Sequence, residues 1–166
     1  MKTITEEFIK SITRGDVAAF DIATHVGYYT LGDYGVAHFP NTDKAPKKLG
    51  EDYAQHKAFR NWLVEFLTSH KIKVVAAEDV IFGHFVDFRK LCEFRGIFFE
   101  VCETLDIPVI TFKPSDIKKH GTGNGNADKK MMIRFAEKRY HIDCEGRDDL
   151  ADAIHIYMYF LHRYKL

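Results

Sequence analysis

Hydrophobic positions along the chain change their period several times, and each change marks an element. Ile4, Phe8, Ile9 and Ile12 recur at helical spacing until Arg14-Gly15-Asp16 ends the run. That spacing predicts a short amphipathic helix within residues 1–15, lying against the body. Val17 to Thr24 then reads as an apolar strand with a single carboxylate, Asp21, in its middle. After a turn at Gly27, two further strands, roughly Tyr28–Leu31 and Tyr34–Phe39, are split by Gly32-Asp33. Three antiparallel strands in a meander follow from this. Asn41 to Gly50 is a polar loop carrying Lys44, Lys47 and Lys48. From Glu51 to about His70 the pattern turns helical, with Tyr53, Ala54, Ala58, Trp62, Phe66 and Leu67 on one face.

Within Lys73–Glu78 the run Val74-Val75-Ala76-Ala77 is continuously apolar, which predicts a strand covered on both faces, as in parallel sheets under helices. A long helix near Asp87–Leu105 and a strand at Pro108–Phe112 come next. They are followed by a basic turn or short helix near Pro114–His120 and a glycine-rich loop at Gly121–Asn126. A helix from Ala127 to about Tyr140 and an apolar helix from Asp148 to about His162 close the chain. The order βββαβαβ followed by helices predicts an α/β layered fold. Its five-stranded mixed sheet has three antiparallel strands, then two parallel ones, flanked by helices. At 166 residues the expectation is one domain spanning 1–166, large enough to bury a real core.

Composition excludes several classes. Apolar and aromatic residues are plentiful and no low-complexity tract or internal repeat appears, so the chain is not disordered. Cys92, Cys102 and Cys144 form no Cys-x-x-Cys unit, and an odd count argues against a disulfide framework. Met1 to Ile12 is too charged for a signal peptide, and no apolar run is long enough to span a bilayer. The expectation is a soluble cytoplasmic protein with no membrane partner.

Net formal charge is zero, so a nucleic-acid partner must be argued from distribution. Residues 113–139 hold eight Lys/Arg against three acids, whereas residues 1–112 hold thirteen against sixteen. Such a local excess of positive charge suits a phosphate-facing surface on a neutral protein, and equally a solvated helix face.

Asp21 is the residue the hydrophobic pattern explains least, because a buried charge is costly unless paired. Glu78 ends the second apolar strand; if the two strands are parallel neighbours, both carboxylates reach one edge. Asp149 and Asp152 lie one turn apart on the last helix, as do Asp148 and Asp152. Asp148 is the better N-cap candidate, which spares Asp149 for a site. Four converging carboxylates repel and raise one another's pKa values unless cations sit among them. Oxygen-only ligands favour Mg²⁺ or Mn²⁺, and two such ions roughly 3.5–4 Å apart serve phosphodiester hydrolysis. Dispersed acids in an α/β protein are, however, more often surface residues or caps. His25 reads as a loop histidine and His155 as a satisfied core histidine, although either lies near enough in sequence to assist the acids.

The stretch from Phe112 to Lys129, containing Pro114-Ser115-Asp116-Ile117-Lys118 and then Gly123-Asn124-Gly125-Asn126-Ala127-Asp128-Lys129, resembles the signature of RuvC-type Holliday-junction resolvases. Leu91-Cys92-Glu93-Phe94-Arg95-Gly96 resembles that family's Leu-Gly-x-x-Arg-Gly helix, and Asp149-Leu150-Ala151-Asp152-Ala153 its Asp-Ala-Ala-Asp-Ala run. Asp21 and Glu78 fall where its first two acids stand, and the likeness extends in order over about residues 17–162. The resemblance implies an RNase H-like fold and a homodimeric endonuclease that nicks branched DNA symmetrically. It implies Mg²⁺ (or Mn²⁺), two ions per site, held by Asp21, Glu78, Asp149 and Asp152. Lys118, Lys119, Gly123, Asn124, Gly125 and Lys129 are the corresponding DNA-binding expectations. The glycines let backbone approach phosphate, and a helix N-terminus beginning at Ala127 favours an anion.

Three departures bear on substrate contacts. Ile22-Ala23 follows the first acid where the family carries Pro-Gly, and the distance to Gly27-Tyr28 is one residue shorter. The family's junction-wedging aromatic, three residues after the Glu, is replaced by Ile81, which leaves Phe82 as the wedge candidate. The extra N-terminal helix is atypical and points to a divergent branch, of phage or viral type, acting in a host cytoplasm. The long helix Asp87–Leu105, rich in large apolar residues, is the expected dimer surface.

The primary expectation is a structure-selective endonuclease for four-way junctions, with Y-shaped or replication-fork DNA as further substrates. The alternative is a non-catalytic branched-DNA-binding protein on the same fold. An actin-like kinase also carries a central Asp on its first strand, but needs two such domains and more chain than this.

Overall fold

A computed structural model of the chain describes residues 4–23, 25–39, 53–79 and 85–166. Its strands are β1 (Val17–Asp21), β2 (His25–Thr30), β3 (Asp33–His38), β4 (Val74–Glu78) and β5 (Val109–Phe112). Its helices are α1 (Glu6–Ser11), α2 (Ala54–Ser69), α3 (Phe85–Thr104), α4 (Pro114–Thr122), α5 (Lys129–Tyr140) and α6 (Asp148–Tyr164). The five strands make one sheet in the order β3-β2-β1-β4-β5. β1, β2 and β3 pair antiparallel, while β4 runs parallel to both β1 and β5. The mixed sheet expected from the hydrophobic pattern is therefore the one observed.

β1 and β4 are apolar up to their last residues, Asp21 and Glu78, because they are the inner strands of a sheet covered on both faces. Alternation sorts their side chains. Ala18 and Phe20 of β1, with Val75 and Ala77 of β4, pack against α2 and α3. Val17 and Ala19, with Val74 and Ala76, pack against α4, α5 and α6. Phe20 fills the first layer, meeting Phe66 edge-on at 5.5 Å and Phe98 at 5.8 Å between ring centroids. Truncating such a fully buried ring costs about 3–5 kcal/mol.

α6 is apolar on nearly every side because it lies between the sheet and the pair α4 and α5. The N-terminal helix is shorter than the sequence suggests. Thr5 caps it by accepting from Phe8 N at 3.1 Å, and Ile12 returns to extended backbone. The 3-10 turn Arg14–Asp16 then leads into β1, and Asp16 pairs with Lys73 at 3.0 Å.

The buried face of α2 differs from the predicted one. Gln55, Phe59, Leu63, Phe66 and Leu67 face the core, while Tyr53 and Ala58 are exposed. The stripe of large side chains at 59, 63 and 66 outweighs the offset stripe at 54 and 58, where alanines have little to bury. Phe94 and Phe98 are core residues, whereas Phe99 is 40% exposed on the outer side of α3. No helix among the described residues is long and apolar enough to cross a membrane. The loop Asn41–Gly50 and Phe82 lie outside the described residues.

Candidate active site

The parity of β1 and β4 decides where their acids point. Val17, Ala19 and Asp21 share one side of β1, and Val74, Ala76 and Glu78 share the same side of β4. The strands are parallel and in register, Phe20 beside Ala77, so Asp21 and Glu78 end neighbouring strands at one edge. Asp21 ends β1 rather than sitting in its middle, because the chain turns within the next three residues to begin β2 at His25. Above this edge α6 begins, with Asp149 in its first turn and Asp152 one turn on.

Gly27 sets how closely α6 approaches. It is no turn residue but part of β2, paired with Asp21. A Cβ built on it falls 1.9 Å from the Asp149 carbonyl oxygen, so only a residue without a side chain lets the first turn of α6 rest on the sheet. A second glycine works the same way: a Cβ on Gly121 falls 2.3 Å from Nδ1 of His155.

The electrostatics register the convergence. Asp21 is pushed well above the usual carboxylate range by burial and then by Asp152, Glu78, Asp149 and Asp148. Asp152 is pushed up to about 7, chiefly by burial and next by Glu78. Glu78 and Asp149 are also raised, burial being the largest cause for both. Among the described residues, no three His, Cys, Asp or Glu side chains stand close enough together to hold a metal ion. The acids thus share one edge and one field, without closing on a common point.

Among the described residues, Lys118, Arg95 and Lys129 act on these acids. Lys118, half-buried on α4, lowers the pKa of both Glu78 and Asp152, so this DNA-binding candidate sits at the acid edge itself. Arg95 reaches from α3, donating from Nη1 to the Glu78 carbonyl at 2.8 Å. Its guanidinium lies 5.3 Å from the Phe99 ring centroid. In the sequence Arg95 stands only inside the Leu91–Gly96 motif; its hold on the Glu78 carbonyl is a long-range contact no spacing reveals.

The other sequence candidates fall differently. Lys129 pairs with Asp148, and this hydrogen bond raises the lysine's pKa and lowers the acid's. Asp148 is the first residue of α6 and not its N-cap, which is Arg147 with extended backbone. Gly121 and Thr122 belong to α4, so the glycine loop starts at Gly123, the left-handed C-cap with φ +81°. Thr122 Oγ1 accepts from Asn124 N, Asn124 Oδ1 from Asn126 N, and the Asn124 carbonyl from Ala127 N. Helix α5 begins at Lys129 rather than Ala127, and its N-cap Asp128 already accepts from Met131 N at 2.8 Å. Most donors expected to cradle a phosphate are therefore used within the loop, and Gly125 lies close to the Ser115 carbonyl.

What remains available is charge. Lys113, Lys119, Lys130, Arg134 and Lys138 are exposed along α4, α5 and their approaches, outside every ion pair among the described residues. His25 starts β2 instead of lying in a loop; its ring lies tilted against His38 across the strand pair, 4.5 Å between centroids, and it lowers the pKa of Asp149. His155 is buried, and its Nε2 is 2.9 Å from the Met132 carbonyl while Nδ1 has no partner, so it is only half satisfied.

Sheet order, helix layers and acid edge together define an RNase H-like α/β fold. A chain described as "T. thermophilus RuvC in complex with Holliday junction substrate" superposes on it with a TM-score of 0.68. That match covers 90% of this chain and 93% of the Thermus one at 19% identity, which is a likeness of fold. The family model described as "Crossover junction endodeoxyribonuclease RuvC" matches residues 42–159, and the chain belongs to that family. The matched span includes Glu78, Asp149 and Asp152 and begins after Asp21. A crossover junction endodeoxyribonuclease RuvC of Ehrlichia chaffeensis is 39% identical over 64 residues, 39% of this chain and 41% of that protein. One from Ehrlichia ruminantium (strain Welgevonden) is 27% identical over 133 residues, 76% of this chain and 79% of the relative.

Proposed function

We propose that the chain is an endonuclease that cuts branched DNA, four-way junctions first, with Asp21, Glu78, Asp149 and Asp152 as its metal-binding acids. The observation that carries this is the edge where β1 and β4 deliver Asp21 and Glu78 under the first two turns of α6. Its place in a family described as crossover junction endodeoxyribonucleases supports the substrate. The relative seen with a Holliday junction supports it too.

The donor set fits hard divalent cations. Four carboxylates raised by burial and mutual repulsion gain from any ion that lets them ionise, and oxygen-only ligands suit Mg²⁺ or Mn²⁺. Two such ions per site, when bound, supply charge stabilisation at the phosphate and an activated water. The chain's own residues do the positioning. Gly27 seats α6, and Arg95 fixes the Glu78 backbone. Lys118 adds positive charge beside the acids, where a substrate phosphate enters. Lys113, Lys119, Lys130, Arg134 and Lys138 neutralise backbone phosphates along the flanking duplex. A homodimer built on α3 places two such edges for paired nicks.

The test is a gel assay on a labelled immobile four-way junction beside Y-shaped and linear duplex DNA, with Mg²⁺, Mn²⁺ or chelator. Metal-dependent nicks near the crossover, lost by at least ~10³-fold in Asp21→Asn with junction binding retained, are the expected result. Binding without cutting in either metal makes the chain a branched-DNA-binding protein and overturns the enzymatic reading.

A further inference from the structure

At the far end of α6 a pocket of about 760 Å³ opens where the last turns of α4, α5 and α6 meet the segment before β1. Its α6 wall, Met158 to Arg163, lies roughly 9–21 Å along the helix axis from Asp152 and Asp149, at 1.5 Å of rise per residue. Arg14, Arg139, Arg163 and Lys165 line it with the imidazoles of His120 and His162, and no Asp or Glu side chain does. Basic residues near helix C-termini ordinarily answer the macrodipole, which accounts for Arg139 and Arg163. Arg14 comes from the turn before β1 and donates from Nη2 to a main-chain oxygen of Leu166, the last residue, at 3.0 Å, so its charge is partly answered there and a phosphate in the pocket falls chiefly to Arg139, Arg163 and Lys165.

One of the four cations, Arg139, is held rigidly by a neutral group. Arg139 donates from Nη1 to the His120 carbonyl at 2.9 Å, and its guanidinium lies 5.5 Å from the Tyr140 ring centroid. Carbonyls fix a guanidinium without cancelling its charge, and none of the four cations forms an ion pair with a carboxylate side chain among the described residues. The field is felt locally: His120 is pushed down to about 4 by burial and then by His162, Arg139 and His155. Tyr140, Met158 and Leu161 supply the apolar part of the wall, and two wall atoms, His120 Nδ1 and Tyr140 Oη, have no hydrogen-bond partner.

We propose that this pocket binds a nucleotide, its phosphate on the arginine and lysine side chains and its base against Tyr140, Met158 and Leu161. Guanidinium groups match phosphate oxygens two at a time, and the volume lies within the roughly 300–1,000 Å³ of small-molecule sites, far more than inorganic phosphate fills. The same chemistry is presented by a free mononucleotide and by the phosphorylated end of a DNA strand.

Calorimetric titration of the full chain in chelator and low salt tests this, using dAMP, deoxyadenosine, inorganic phosphate and a 5′-phosphorylated dinucleotide. The comparison protein is Arg163→Glu with Lys165→Glu; both side chains are exposed, and circular dichroism checks that the fold is unchanged. Expected is dAMP binding tighter than deoxyadenosine or phosphate, weakened at least ~10-fold by the double variant, with junction cutting unchanged. Equal affinity for dinucleotide and dAMP makes a strand end the source, and weaker dinucleotide binding makes it the free nucleotide. No binding of dAMP, affinity no better than phosphate, or equal affinity in the double variant overturns the proposal.

Discussion

At Asp152 the carboxyl is pushed up to about 7, so the folded chain holds that proton more tightly than the unfolded one, where an Asp titrates near ~3.9. The cost of ionising it is absent below about pH 4, grows as pH rises, and is complete above about pH 7. In chelator, thermal stability is therefore expected to fall between pH 5 and pH 8. Asp152→Asn flattens that fall and raises Tm at pH 8 by about 3 °C, what ~1 kcal/mol of relief yields in a chain of this size. Mg²⁺ or Mn²⁺ at pH 8 stabilises the wild type more than the variant. A pH-independent Tm in chelator contradicts this account of the acids. Gly27 is the second sensitive position. In Gly27→Ala the added methyl meets α6 backbone, which costs about 1–3 kcal/mol and shifts Asp149 and Asp152 off the strand edge. Junction cutting is expected to drop ~100-fold, because ångström displacements carry costs of that order, while urea titration shows the protein still folded.

The pair α4 and α5 shows what periodicity conveys and what it leaves out. Helix α5 and the mixed character of the sheet are legible from apolar spacing, whereas the sequence leaves Pro114–His120 open between turn and short helix and does not give the strand order. The loop between them reads from sequence as a phosphate cradle, since nothing in Gly123-Asn124-Gly125-Asn126 tells that Thr122, Asn124 and Asp128 satisfy its donors internally. On the proposed function, DNA contact therefore falls to side-chain charge. Lys130→Glu with Arg134→Glu is expected to weaken junction binding and to flatten the dependence of log K on log salt by ~0.9 per lost phosphate contact. Filter binding across a salt series measures both. An unchanged slope moves the interface elsewhere. Asp128→Ala, by contrast, removes a cap and costs about 1 kcal/mol of stability, read by urea denaturation.

For the whole molecule, the acids that share the strand edge stand out in the sequence because a carboxylate on an apolar strand demands an explanation, and resemblance supplies the role proposed for them. Their geometry does not. Which way Asp21 and Glu78 face depends on register between strands more than fifty residues apart, and Arg95 reaches Glu78 only across the α3 layer. That reach joins the site to the outer surface: one guanidinium contacts both the Glu78 carbonyl and the exposed Phe99 ring. On the proposed α3 dimer, Phe99→Glu is expected to give a monomer by light scattering and to reduce paired nicking. A variant that stays dimeric places the interface elsewhere. The two close-packed glycines, finally, have opposite genetic consequences. Gly121 is blocked by a side chain, His155, so a larger residue there is rescued by shrinking position 155, and the two sites covary in any selected library. Gly27 is blocked by main chain, which no second-site substitution can trim, so selection holds that position invariant on its own.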